Sequence, residues 1–118
     1  MSSVLANLGN LHIVTGQITV TSGTWALTSN DGSVTLTDNG AGDVSVNFVH
    51  AFLSAPIVVA SMLKAAPEAT VFHGVTVEAV TTALATFQWH HDTAATNSLA
   101  DPDDGDGCHF IAIGVRNN

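Results

Sequence analysis

Side-chain alternation at every second position is the strongest constraint on this chain. Ser33-Val34-Thr35-Leu36-Thr37 alternates polar with apolar, Asp38-Asn39-Gly40-Ala41-Gly42 breaks the pattern, and Val44-Ser45-Val46-Asn47-Phe48 takes it up again. Side chains of a β-strand project alternately to the two faces, and Asn, Asp and Gly supply the backbone freedom a tight reversal needs. Two such runs around such a loop predict a β-hairpin. Fourteen valines and fourteen threonines, against one lysine and two glutamates, extend the preference for sheet along the chain.

Further strands follow from the same pattern. Leu11 to Thr21 (LHIVTGQITVT) alternates through Ile13, Ile18 and Val20, with Gly16 as a bulge or bend. Trp25 to Thr28 continues, and Asn30-Asp31-Gly32 marks a tight turn. Ile57 to Leu63 (IVVASML) is apolar almost throughout, so both of its faces should be covered or lie against a neighbouring subunit. Val71 to Val80 and Leu84 to His91 form the next pair, joined around Thr81-Thr82. Residues 92–107 read as a long polar loop, and Cys108 to Val115 as the closing strand. About eight short strands and no amphipathic helix predict an all-β fold, an antiparallel sandwich or jelly roll. The expected organisation is one domain over residues 11–118, preceded by an N-terminal arm over residues 1–10.

Charge narrows the partners. Lys64 and Arg116 are the only strong cations against ten carboxylates, giving a formal net charge of -8. Nucleic-acid binding is excluded on this basis, because phosphate recognition needs several cations, and an anionic membrane surface is disfavoured for the same reason. At most two salt bridges can form, so the fold is not expected to rest on ion pairing. The apolar runs Ala55–Ala60 and Phe110–Ile113 are far too short to span a bilayer as helices. The N-terminus lacks the basic n-region and apolar core of a signal peptide, and the single Cys108 cannot make an intrachain disulfide. The chain is therefore expected to be made in a cytoplasm.

Several constellations invite chemistry. Asp101, Asp103, Asp104 and Asp106 fall within six residues and must be solvated or neutralised. Calcium is one possible neutraliser, although Gly105 stands where the third acidic ligand of an EF-hand would be and no bidentate glutamate follows. A solvated surface loop is the alternative. His90, His91 and Asp92 could join His109 around zinc if the last two strands pair. However, consecutive histidines on a strand point to opposite faces. Leu84, Thr86, Gln88 and His90 share one face of their strand, and Phe87, Trp89 and His91 share the other. Cys108 reads as a small buried hydrophobe. No nucleophile elbow or phosphate loop is present, and Glu68 and Glu78 carry no supporting signal for glycoside hydrolysis. No enzymatic activity is expected. Trp89 with His91, or Trp25, could instead serve as a sugar platform if exposed.

The stretch Val44 to Ser61 (VSVNFVHAFLSAPIVVAS) has a strand ending in Phe, then Ala-Phe, Ser-Ala-Pro and Val-Val-Ala. It resembles segments of phage virion proteins, both small head-decoration proteins and tail-fibre domains, and of H-type lectin sandwiches. Leu8 to Gly16, with Leu36 to Asp43, is similar to small proteins of aquatic phages. The resemblance implies a β-sandwich virion component: a capsid decoration or cement protein on the capsid exterior. Its implied partners are the major capsid protein and further copies of itself, as a homotrimer. A carbohydrate-binding tail-fibre module is the alternative that the resemblance offers. The residues expected at subunit or capsid contacts are Val4, Leu5 and Leu8 of the arm, with Ile57, Val59 and Met62 of the apolar strand.

Overall fold

The computed structural model describes residues 10–30, 32–65, 72–92 and 97–117. Its strands are β1 (Leu11–Thr21), β2 (Thr24–Asn30), β3 (Val34–Gly40), β4 (Asp43–Phe48), β5 (Ile57–Leu63), β6 (Phe72–Val80), β7 (Leu84–Asp92), β8 (Asn97–Leu99) and β9 (Gly107–Val115). They form an antiparallel β-sandwich. Sheet A has the order β2-β1-β9-β5, and sheet B the order β3-β4-β7-β6, with β8 paired to β7. The expected all-β class and the eight longer strands are present. The three-residue β8 is an addition inside what the sequence presents as loop. Val4, Leu5, Leu8 and the rest of the arm before Asn10 lie outside the described residues, as does Glu68.

The buried side chains come from alternate positions on both sheets. Val14, Ile18 and Val20 of β1 and Cys108, Phe110 and Ala112 of β9 face Val44, Val46 and Phe48 of β4 and Ala85, Phe87 and Trp89 of β7. Phe87 and Phe110 meet across the sandwich with ring centroids 5.6 Å apart. Phe52, in the connection between β4 and β5, closes one end of this core. It packs edge-on against Phe48 at 5.0 Å, and its N–H donates to the Thr82 carbonyl at 2.9 Å.

The irregularity expected at Gly16 lies elsewhere. The β1–β9 register runs unbroken from Leu11 opposite Val115 to Thr19 opposite Gly107. The slip is on the β2 side, where Ser29 faces Gln17 and Leu27 faces Ile18, so that Thr28 is the extra residue. The Thr28 hydroxyl donates to the Gln17 carbonyl at 3.1 Å, which holds the bulge. Because β1 itself keeps its period past Gly16, Ile13 cannot share a face with Ile18 and Val20. It points outward, 51% exposed, while Val14 takes the inward place.

Candidate functional site

The outer face of sheet A is the most unusual surface of the molecule. Cross-strand register places Leu11 beside Val115, then Ile13, Ile113 and Ile57 in a row, then Thr15, Ile111 and Val59 in the next. Such rows stand two residues, about 6.8 Å, apart on strands spaced about 4.8 Å. A fourth row, Gln17, His109 and Ser61, forms a polar margin, with His109 Nε2 and Gln17 Oε1 3.2 Å apart. None of these side chains is an acid or a strong base. Shallow grooves of about 370 Å³ and 100 Å³ run along the margin, on either side of Ile111 and His109.

Leu11, Ile13, Ile111, Ile113, Ile57 and Val59 are all at least 41% exposed. Their combined exposure amounts to about three whole aliphatic side chains, and covering it would contribute on the order of 5–9 kcal/mol. Contiguous apolar surface of this kind marks interaction sites. Exposure rises toward one side: within a single row Ile113 is 41% exposed and Ile57 is 74% exposed. Ile113 has a strand on each side, whereas Ile57 lies on the edge strand β5.

The structure thus brings Ile57 and Val59 together as expected, but it separates Met62 from them. Met62 lies opposite Cys108 in the register and so belongs to the inward side of β5, although at the strand's end it remains exposed. Within the chain one face of β5 is covered, since Val58 and Ala60 pack on the core, while Ile57 and Val59 remain open, the face for which the expectation named a neighbouring subunit. Leu11, Ile13, Ile111 and Ile113 were not expected in this site. The signal that could have found them was the period of β1 and β9, in which Leu11-x-Ile13 and Ile111-x-Ile113 each leave a second apolar face after the core is filled.

The acidic loop lies at the surface at Asp101, Asp103 and Asp104, which are exposed, and of its carboxylates only Asp106 turns inward. Its carboxylates meet groups of this chain, Asp103 and Asp106 sharing Lys64. Asp101 Oδ1 accepts the Gly42 N–H at 2.9 Å, and Asp104 Oδ1 accepts the Ser22 N–H at 2.7 Å. Asp106, 1% exposed, accepts the Lys64 ammonium and the Ala65 N–H, each at 2.7 Å. Asp103 stands 3.8 Å from the same ammonium. Backbone bonds add to these: Val20 N–H donates to the Asp106 carbonyl at 2.9 Å and Gly105 N–H to the Val20 carbonyl at 2.8 Å. The loop therefore clasps the β1–β2 turn, the β3–β4 turn and the end of β5. Among the described residues no group of three or more His, Cys, Asp or Glu is placed to hold a metal ion.

Two features explain why the clasp fits. Ser22 and Gly42 have positive φ, of 52° and 67°, which turns their N–H groups out of the hairpin ladders toward the loop. Gly42 also permits close approach, because a Cβ there would stand 2.6 Å from the Ala100 carbonyl oxygen and 2.7 Å from that of Trp89. The clasp also changes what charge does in this fold. One of only two strong cations is spent on a buried ion pair, so ion pairing does carry weight at this one point.

The remaining sequence candidates fall elsewhere. Trp89 is 1% exposed and Trp25 is 6% exposed, so neither presents a ring for sugar stacking. Trp89 belongs to the core because its face of β7 is the inward one, and its indole N–H donates to His73 Nδ1 at 3.1 Å. His91 continues that face at the end of the core, its ring 4.8 Å from that of His73. The last two long strands do not pair: β7 lies in sheet B and β9 in sheet A, which puts His109 on the outer face of sheet A and away from His90 and His91. Cys108 is buried as expected, and desolvation pushes its thiol up to about 12. Comparison with protein-family models, with curated proteins and with solved structures found no match.

Proposed function

We propose that this chain is a structural assembly protein of the virion-component kind, a capsid decoration protein that seats the outer face of sheet A on an assembled protein shell. The observation that carries the reading is the uncharged aliphatic face, set in a chain of net charge -8. An acidic body keeps copies soluble and mutually repelling, while an uncharged face admits a partner without leaving a carboxylate desolvated. Contacts of this type exist only on the assembled shell, so their free energy adds to the shell's stability by linkage.

The reading makes the rows of Ile13, Ile113 and Ile57 and of Ile111 and Val59 the contact core, with the Gln17, His109 and Ser61 margin as its polar rim. Purified particles carrying the chain are heated beside the same particles lacking it. The decorated shell should open at the higher temperature, and Ile111→Lys protein should fail to rebind stripped particles. A chain absent from purified particles, or one that rebinds equally well with lysine at position 111, sinks the reading.

A further inference from the structure

We propose that β5 pairs antiparallel with β5 of a second copy of this chain, joining two A sheets edge to edge. The pairing stands apart from shell docking on the outer face and does not depend on it.

The strands at the four ends of the two sheet orders are not alike. β2 carries the Thr28 bulge. The β3 register shifts between Asp38 and Gly40, and the β6 register between Val77 and Ala79, where Glu78 is the extra residue. Bulges and charges of this kind blunt an edge against pairing. β5 has neither: its register with β9 is unbroken from Ile57 to Leu63, and IVVASML contains no charge and no proline. Among the described residues its only ladder is with β9, and no other backbone hydrogen bond reaches residues 57–63. A seven-residue edge of this sort needs a strand as its occupant, because only a strand matches alternating N–H and C=O groups along its length.

Charge selects a second copy, and its direction. Two molecules of net charge -8 repel over most of their surfaces, but neither β5 nor the adjoining outer rows carry a carboxylate. The nearest acids, Asp103 and Asp106, gather at the C-terminal end of β5 around Lys64. Antiparallel pairing sets the two acidic clasps at opposite ends of the joint, about 27 Å apart along the strands at 3.4 Å per residue. Parallel pairing would set them side by side. A two-fold axis at Ala60 matches Ile57 with Leu63, Val58 with Met62 and Val59 with Ser61 of the second copy. The result is a closed, isologous dimer in which two aliphatic outer faces become one continuous platform.

The full-length chain is tested by sedimentation velocity over a concentration series, with Val59→Lys and Ile111→Lys beside it. Both positions are well exposed on the same face, but only Val59 lies on the edge. The expected result is a dimer whose dissociation constant rises at least about tenfold with Val59→Lys and hardly changes with Ile111→Lys. Separately, Val59→Cys and Ser61→Cys proteins are mixed and oxidised. A covalent dimer should form in the mixture well above its level in either protein alone, while the buried Cys108 stays out of the reaction. A monomer throughout, a trimer, a dimer insensitive to Val59→Lys, or cross-linking no greater in the mixture overturns the proposal. A chain that still decorates particles as a monomer would fail this proposal and leave the docking reading standing.

Discussion

The two sheets share a core but treat their outer faces in opposite ways. On sheet B the outward positions are polar and bond to one another. Ser45 Oγ and Thr86 Oγ1 lie 3.0 Å apart, Asn39 Nδ2 donates to both Ser45 Oγ and Asp43 Oδ1, and Asn47 Nδ2 donates to Thr37 Oγ1 at 3.0 Å. Gln88 reaches Asp43 at 3.3 Å, and Thr76 meets His90 at 3.2 Å. That face satisfies its own groups. On sheet A the corresponding rows are isoleucine, leucine and valine, held half out of the core with nothing above them among the described residues. A face that completes its own bonds gains little from a partner, whereas an aliphatic face gains in proportion to what it covers. The difference is what the proposed assembly role of sheet A draws on, sheet B being the face with little to gain from a partner.

That contrast depends on the clasp that ties the two sheets at one end, and breaking the clasp should have the largest effect. Lys64→Met keeps an apolar stem but leaves the Asp106 carboxylate, 1% exposed, with the Ala65 N–H and no cation at 2.7 Å. The expected loss is about 3–5 kcal/mol, the usual consequence of removing one member of a buried pair. Urea unfolding followed by tryptophan fluorescence measures it, since Trp25 and Trp89 are both buried. A loss below about 1 kcal/mol would mean that the loop's backbone bonds hold the end without the ion pair.

The inward side of sheet A should respond to alkali where its outward side does not. Burial holds the Cys108 thiol near 12, against an ordinary value of 9.0. Below pH about 9 the thiol is protonated in both the folded and unfolded chain and stability does not depend on it. Between about 9 and 12 the unfolded chain gives up the proton that the folded chain keeps, so stability falls as pH rises, by about 1.4 kcal/mol per pH unit at most. Cys108→Ala should flatten that slope in urea titrations on either side of pH about 9, at some cost from the vacated volume. A slope equal in both proteins would place the alkaline loss on another group. On sheet B, Thr86→Val removes a hydroxyl that is 3.0 Å from Ser45 Oγ, and should cost about 1 kcal/mol.

What the sequence discloses and what it conceals divide along the same line. The β3–β4 hairpin is legible because its two faces differ in polarity: Val44, Val46 and Phe48 enter the core, and Ser45 and Asn47 take the opposite face, where Ser45 is buried among hydrogen-bonding neighbours. The shared face of Phe87, Trp89 and His91 is legible too, although not that it is the core face. β5 shows the limit. Where both faces of a strand are apolar, alternation says which residues go together but not which set is inside, and only pairing with β9 decides it. The outward turn of Ile13 is hidden for a related reason, since the bulge belongs to Thr28 on the neighbouring strand. The acidic loop hid its role because its partners are backbone N–H groups, at Gly42 and Ser22, separated from it by 59 and 82 residues. Charge repulsion could be read from Asp101 to Asp106, but not the hairpin turns that relieve it.

The smallest effect on stability should accompany the sharpest separation of the two faces. Ile111→Thr lowers the apolar content of the middle row of sheet A without disturbing its β-branched shape, at a position already 44% exposed. Folding stability should stay within about 0.5 kcal/mol of wild type, as surface substitutions away from caps, cores and networks do. Affinity for a shell surface should nevertheless fall, because Ile111 stands between Thr15 and Val59 at the centre of the face. Unfolding in urea and rebinding to stripped particles, measured on the same preparation, separate the two quantities. A stability loss matching the loss of binding would show that Ile111 works for the fold after all, and would remove the distinction between the two outer faces on which the assignment of function rests.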